Sequence, residues 1–375
     1  MGIGNDFIGD IEELISLEVL KSKKLFRFSK EDYYSYSFLF EKKIKEMFDA
    51  SGVLLLPSAT ISLLTFLNTI DLEENDEVIV PPFSWVADYS VFQFKNLKLR
   101  ICKINKDLQV EPNSIKELIN DKTKIVLIPH MMGRGQQEID TIAKICHKNN
   151  IFLIEDIAQS FGVKIKGKYA GMFGDFSFSS MNHHKIISTG DGGFGIFNNM
   201  KNYEKACQFH DQGCFISQEG KRKVNEEIYT KGLSLRVNNL TAGIARSQLA
   251  RLPLIKKLVL EKYHQVVDSL EINKENLIQK NDGDIPYTML LKKPPKKDYP
   301  SLLKSGWHYL ENIPYFNEIE LGDIDKLNLS KSKKHLDSTY SYGTGFLDKY
   351  FAIKDGVKIK EEIDKELLKK EFDKK

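Results

Sequence analysis

The run Ile151-Phe152-Leu153-Ile154-Glu155-Asp156-Ile157-Ala158-Gln159 decides the fold. Its first four residues are apolar and rich in Ile and Phe, which predicts a short buried strand. An acidic pair follows at once. Carboxylates at the end of a buried strand lose hydration, so Glu155 and Asp156 require cationic or hydrogen-bonding partners. The same texture recurs upstream. Val53-Leu54-Leu55-Leu56, Glu77-Val78-Ile79-Val80, Leu99 to Ile104 and Lys124 to Ile128 read as strands, the second stopped by Pro81-Pro82. Ile61, Leu64 and Leu67 fall at helical spacing, and Ile139 to Lys148 is helical by period. Strands separated by helices predict an α/β fold whose mostly parallel sheet is covered on both faces. Ligands of such sheets bind at the carboxyl ends of the strands, so the residues just after each strand are the informative ones.

The 375 residues leave room for about two domains. Lys plus Arg is 55 against 52 for Asp plus Glu, a net charge of +3 that argues against a dedicated nucleic-acid binder. With 41% hydrophobic residues the chain has ample material for a core, which argues against disorder. No apolar run is long enough to span a bilayer, and Met1 to Asp10 lacks the pattern of a signal peptide. Cys102, Cys146, Cys207 and Cys214 show neither CxxC nor zinc-ligand spacing, so they read as scattered thiols and no metal is expected. These features place the chain in the cytoplasm. Asn5 to Phe48 reads as helix with an irregular entry, and Asn238 to Leu254 as a helix. Beyond Leu254 the texture shifts to shorter elements broken by Pro294-Pro295, ending in an amphipathic, charged tail from Lys358 to Lys375. The expected division is an N-terminal arm and large domain over residues 1–250 and a small α+β domain over 251–375.

Three positions after strands carry chemistry. Asp156 ends one strand. Pro57-Ser58-Ala59-Thr60 joins another to a helix, and a helix N-terminus with hydroxyl residues suits a phosphate. Lys185 stands in Ser179-Ser180-Met181-Asn182-His183-His184-Lys185, just before Ser188-Thr189-Gly190-Asp191-Gly192-Gly193. A lysine in a small, polar, glycine-bounded turn is a candidate Schiff-base residue. A phosphate cradle, a buried carboxylate for a pyridinium nitrogen and a lysine for an aldehyde suit pyridoxal 5′-phosphate (PLP). Trp85, after Pro81-Pro82, could stack on the pyridine ring. Gly190-Asp191-Gly192-Gly193-Phe194-Gly195 matches G-x-G-x-x-G formally. It runs into an apparent strand at Ile196-Phe197 rather than opening a helix, so it is read as a decoy.

Together these segments resemble the DegT/DnrJ/EryC1/StrS family of sugar aminotransferases. The likeness is carried by Ile154-Glu155-Asp156-Ile157-Ala158-Gln159-Ser160-Phe161-Gly162, Lys166-Gly167-Lys168, Gly174-Asp175, Lys185 and Gly190-Asp191-Gly192-Gly193. Asn75 to Pro81 with Phe83-Ser84-Trp85-Val86-Ala87, Pro129-His130-Met131-Met132-Gly133, and Arg236-Val237-Asn238-Asn239-Leu240 with Gln248-Leu249 are similar to further blocks of that family. The likeness runs from about Phe26 to Leu254.

The resemblance implies the aspartate aminotransferase-like PLP-dependent transferase fold, type I, and a homodimer with shared active sites. Lys185 would be the Schiff-base lysine and the general base. Asp156 would hold the pyridinium nitrogen, Gln159 the ring hydroxyl, and Trp85 would stack on the ring. The backbone N–H groups of Ala59 and Thr60 and the hydroxyl of Ser180 would bind the phosphate. Ser177, in Phe176-Ser177-Phe178, is the alternative to Ser180. The implied reaction moves an amino group from glutamate to a keto or aldehyde sugar, most often nucleotide-linked, in surface-polysaccharide or amino-sugar biosynthesis. Departures are Ala59 where the family has Gly, Ser234 where a partner subunit's Asn reaches the phosphate, and an extra residue after Gly133. A register shifted by one would put His184 in the place of the histidine base of the family's dehydratases. A non-catalytic relative that keeps the fold is a third reading. His210-Asp211-Gln212-Gly213 falls where that family has a loop near the substrate, with plain loop structure as the other reading; Trp307 and His308 are further candidates near the substrate, Trp307 equally as core.

Overall fold

Val53 to Leu56, Val78 to Val80 and Ile125 to Ile128 are fully buried. Runs this apolar leave no polar face, as expected of strands covered on both sides. The computed structural model describes residues 3–28, 35–216, 222–223, 231–269, 274–293, 301–304, 306 and 308–342. Trp307, Pro294-Pro295 and the tail from Lys358 lie outside the described residues.

In chain order the first strands are β1 (Gly52–Leu56), β2 (Glu77–Val80), β3 (Lys98–Ile101), β4 (Thr123–Pro129) and β5 (Phe152–Asp156). There follow β6 (Lys164–Ile165), β7 (Lys168–Tyr169), β8 (Phe176–Ser180) and β9 (Gly193–Phe197). The main sheet has the order β1-β9-β8-β5-β4-β2-β3. Strand β2 lies parallel to β3 and β4, and β4 is parallel to β5, with Pro129 opposite Asp156. Strands β1 and β9 are antiparallel, and Leu56 faces Gly193. The G-x-G-x-x-G match therefore leads into a strand, as its flanks predict.

The strand expected over Leu99 to Ile104 stops at Ile101. Beyond it, side chains take the backbone donors: Lys103 N–H donates to Ser114 Oγ (2.9 Å) and Ile104 N–H to Ser332 Oγ (3.2 Å). Backbone groups satisfied this way do not extend a ladder.

The helices are α1 (Ile3–Asp6), α2 (Asp10–Ser22), α3 (Tyr36–Phe48), α4 (Ala59–Leu67), α5 (Ala87–Phe94), α6 (Pro112–Leu118), α7 (Ile139–Lys148), α8 (Met200–His210), α9 (Asn239–Ala250), α10 (Leu252–Ser269) and α11 (Asp323–Asp337). Ser58 caps α4 by accepting from Ile61 N–H, and Asn238 caps α9 by accepting from Thr241 N–H. The single helix expected over Asn238 to Leu254 is instead two, parted at Arg251. Pro253 has no N–H and its ring blocks a continuing helix, so it sits in the first turn of a new one. Among the described residues no helix is long and apolar enough to cross a membrane.

Two compact units divide the chain, one built from Met1–Thr69 with Phe178–Val259, the other from Ile70–Ser177 with Leu260–Tyr342. Each draws on residues to either side of residue 250. In the first unit Phe40 of α3 meets Phe194 of β9 edge to face, and Phe66 of α4 lies against Phe197. A fully buried ion pair joins Arg251 to Glu12 of α2 at 2.6 Å. In the second unit, Met289–Leu291 and Tyr340–Tyr342 pair antiparallel, and Asp325 of α11 accepts from Ile101 N–H (2.8 Å) at the end of β3.

Candidate active site

The first unit carries Lys185 and the candidate phosphate cradle at the start of α4. Lys185 is half-buried on the loop between β8 and β9. Its N–H donates to Asn182 O (2.9 Å), and its carbonyl accepts from Gly4 N–H of α1 (2.7 Å). A Cβ at Gly4 would stand 2.5 Å from Ser188 N, so only glycine lets α1 approach this closely. Gln248 of α9 braces the same loop: its Oε1 accepts from Ser188 N–H (3.4 Å) while its Nε2 donates to Glu12 (3.2 Å). The loop is therefore tied at both ends to elements far along the chain.

Gly192 and Gly193 link this loop to α4. Met181 N–H donates to Gly192 O (2.8 Å). At Gly193 a Cβ would overlap the Ser58–Ala59 peptide. The peptide that opens α4 thus lies directly on the backbone of Gly193. Ala59 is the first residue of α4 and is not among the residues with positive φ. Helical dihedrals suit alanine, so the departure from glycine carries no backbone strain here. Ser180 ends β8 with its Oγ accepting from Asn182 N–H (3.2 Å). Ser177, three residues earlier in a two-residue repeat, is on the opposite face of β8. It is fully buried, and a Cβ at Gly171 would stand 2.8 Å from its Oγ. Ser180 lies beside the loop that carries Lys185. Ser234 is exposed, in a bridge between its backbone and that of Asp211. His210, near it, is buried, and burial pulls its imidazole down to about 3, so it stays neutral. The side chain of His184 is exposed, with its ring 3.7 Å from that of His183; partial burial, then His183 and Lys185, lower its pKa.

The second unit carries the carboxylate and the glutamine. Glu155 and Asp156 have separate partners. The Glu155 carboxylate accepts from the N–H groups of Gly171 (2.8 Å), Phe173 (2.6 Å) and Gly174 (2.8 Å), and from His130 Nε2 (2.9 Å). Gln136 N–H donates to His130 Nδ1 (3.1 Å), which leaves the proton of a neutral ring on Nε2. Glu155 is thus a structural clasp on the loop before β8. Asp156 is buried at the carboxyl end of β5 and accepts from Ala158 N–H through Oδ1 (2.7 Å). Gln159 accepts at Oε1 from Tyr287 Oη (2.7 Å) and Met132 N–H (3.1 Å), and its Nε2 lies 3.3 Å from His308 Nε2. Trp85 is 40% exposed, with its ring 5.1 Å from that of His308. The turn after Gly133 is held by hydrogen bonds to a distant segment: Ile285 N–H donates to Gly133 O (2.8 Å) and Gly135 N–H to Asp284 Oδ1 (2.8 Å).

A model of the DegT/DnrJ/EryC1/StrS aminotransferase family matches residues 17–297. The chain belongs to that family. Among curated relatives, a GDP-perosamine synthase of Escherichia coli O157:H7 is 28% identical over 242 residues, covering 63% of this chain and 65% of that protein. A GDP-perosamine synthase of Vibrio cholerae is 29% identical over 243 residues, 63% and 64% of the two chains. The chain thus matches somewhat under two thirds of the length of these relatives. Among solved structures, an E. coli GDP-4-keto-6-deoxy-D-mannose-3-dehydratase with bound hydrated PLP superposes with a TM-score of 0.75 at 20% identity, over 90% and 92% of the two chains. Helicobacter pylori PseC, an aminotransferase of pseudaminic acid biosynthesis, superposes with a TM-score of 0.67 at 23% identity, over 76% and 75%. These likenesses establish the fold type I architecture that the family resemblance implies.

Sequence reasoning did not find Gly4, Glu12 or Tyr287. The sequence gives Gln248 no role and His308 no partner. None of these shows a local signal, because each acts through a contact made only in the folded chain.

Proposed function

We propose that the protein is a PLP-dependent aminotransferase that moves an amino group from glutamate to a keto sugar, most readily one carried on a nucleotide. The observation that carries this reading is the Lys185 loop, which is continuous with Gly192-Gly193 lying on the Ser58–Ala59 peptide at the start of α4. The donor set fits the cofactor: free N–H groups at a helix start for phosphate, a hydroxyl at Ser180, a buried carboxylate at Asp156 and a primary amine at Lys185. Bound there, PLP supplies an aldehyde and an electron-withdrawing ring. Lys185 would bond that aldehyde and, once displaced by the amino donor, take and return the substrate proton as a neutral amine. Asp156 would hold the ring nitrogen's proton. Trp85 would cover a ring face, and Gln159 would donate to the ring hydroxyl.

A homodimer completes the reading. Ser234 is exposed, available to reach the phosphate of a second copy. Leu14, Leu17 and Leu20 of α2, at helical spacing, are 42%, 47% and 53% exposed, an apolar face that suits burial against another chain. The test is an absorption spectrum with PLP, before and after glutamate and without sugar. Conversion of the yellow band to the shorter-wavelength amine form is expected. A yellow band that ignores glutamate, in the presence of other amino donors as well, would overturn the assignment in favour of a non-catalytic relative. A protein that takes up the amine form without a lysine-linked band would be a dehydratase.

A further inference from the structure

We propose that Tyr287 and His308 are positioning residues that lock the Gln159 amide in one orientation, so that its Nε2 is the atom presented to the cofactor ring hydroxyl. The inference rests on the function proposed above, because Gln159 meets a ring hydroxyl only if the cofactor binds there.

The orientation follows from donor chemistry. A backbone N–H can only donate, so the amide atom 3.1 Å from Met132 N is the oxygen. Tyr287 Oη, 2.7 Å from the same atom, donates to its second lone pair. Burial, and after it the charge of Asp156, push the Tyr287 phenol far up, so it keeps its proton. With Oε1 doubly satisfied, turning the amide over would set an NH2 group against the Met132 N–H, which can only donate, and would force the Tyr287 hydroxyl to turn from donor to acceptor, a costly arrangement in a buried site. The two hydrogens of Nε2 are then the available donors. One is directed at His308 Nε2 at 3.3 Å, which must accept and so places the imidazole proton on Nδ1. The other remains for a ligand.

Both positioning side chains are held by their own backbone. The segment before Tyr287 is clamped by the Ile285–Gly133 and Asp284–Gly135 hydrogen bonds, and a Cβ at Gly133 would overlap the Ile285 carbonyl. His308 O accepts from Ser84 N–H (2.9 Å), Pro82 O accepts from Leu310 N–H (2.9 Å), and Phe83 bridges Tyr309. Met132 has a φ of 57°, in the left-handed region that a residue with a side chain rarely adopts. That conformation aims its N–H at Gln159, and strain of this kind persists where the surroundings enforce it.

A donor to the ring oxygen stabilises it most when it carries the most negative charge, after the adjacent proton has left. Weakening that donor should therefore raise the pH midpoint of the yellow band. The experiment measures cofactor dissociation and this midpoint for the whole protein and for Tyr287→Phe, His308→Leu and His308→Gln. Tyr287→Phe keeps the ring and frees the amide. We expect a dissociation constant raised about 3- to 10-fold and a midpoint raised by roughly half a pH unit. His308→Leu should behave alike, and His308→Gln, which restores an acceptor, should return toward the parent. Thermal unfolding monitors folding, and a purely structural role would move it without moving the midpoint. Unchanged dissociation and midpoint in folded Tyr287→Phe and His308→Leu would overturn the proposal. Lys185→Ala in the same series separates the two levels: if it loses the yellow band while those variants match the parent, the function stands and the positioning role falls.

Discussion

Replacing Gly193 by alanine should damage the cofactor site without touching a residue that contacts the cofactor by side chain. The Cβ would stand 2.3 Å from Ala59 N and 2.3 Å from Ser58 C, whereas ordinary contact begins at 3.4 Å. Both atoms are backbone, so no side chain can swing aside. Relief requires the Ser58–Ala59 peptide or β9 to retreat by roughly 1 Å, a displacement that forfeits up to about half of the close-contact energy. Strand β9 is held by its ladder with β1, in which Gly193 faces Leu56, so the start of α4 is the softer partner. Overpacking of this kind costs about 1–3 kcal/mol. The N–H groups of Ala59 and Thr60, the proposed phosphate donors, would move with that peptide. We expect the urea midpoint to fall accordingly and the PLP dissociation constant to rise about 10- to 100-fold, since two charge-assisted hydrogen bonds are weakened. Equilibrium dialysis and urea titration read the two effects separately. A Gly193→Ala protein with parent-like stability and parent-like affinity would refute the account of how β9 and α4 meet.

Acid should act through His210. Its folded pKa is about 3 against an ordinary 6.5, because burial disfavours the charged ring. Between those values the unfolded chain binds a proton that the folded chain refuses, so stability present above pH 6.5 is lost as pH falls, by about 1.4 kcal/mol per unit from this group. Urea unfolding at several pH values should show a shallower acid slope in His210→Gln, and an identical slope would contradict this. Arg251→Met should leave the Glu12 carboxylate buried without its cationic partner and lower stability by about 3–5 kcal/mol. Adding Glu12→Gln should recover much of that loss in the same unfolding experiment, and no recovery would show that the ion pair is not its source.

The sheet was legible because its strands are apolar on both faces. Val53 to Leu56 and Ile125 to Ile128 leave no other reading, and the glycines at 190, 192 and 193 mark the turn into β9. Lys185, Asp156 and Gln159 stand out as candidates because each lies near the end of a strand or in a glycine-bounded loop. What the sequence concealed depends on approach between distant segments. Tyr287 is 128 residues from Gln159 and His308 is 149 residues away, and neither has a local pattern that points to it. The division of α9 from α10 was missed because the period of Ala242, Ala245 and Leu249 hid the effect of Pro253. The early end of β3 depends on Ser114, Ser332 and Asp325, whose hydroxyl and carboxylate groups look like ordinary surface residues until the chain folds.

Lys185 is the lysine proposed to bond the cofactor. Borohydride reduction of the PLP-loaded protein, followed by proteolysis and mass spectrometry, fixes that bond where it forms. The account predicts a single pyridoxyl adduct on the peptide carrying Lys185, and its loss in Lys185→Ala. An adduct on a different lysine, or none in a protein that has bound PLP, would contradict it.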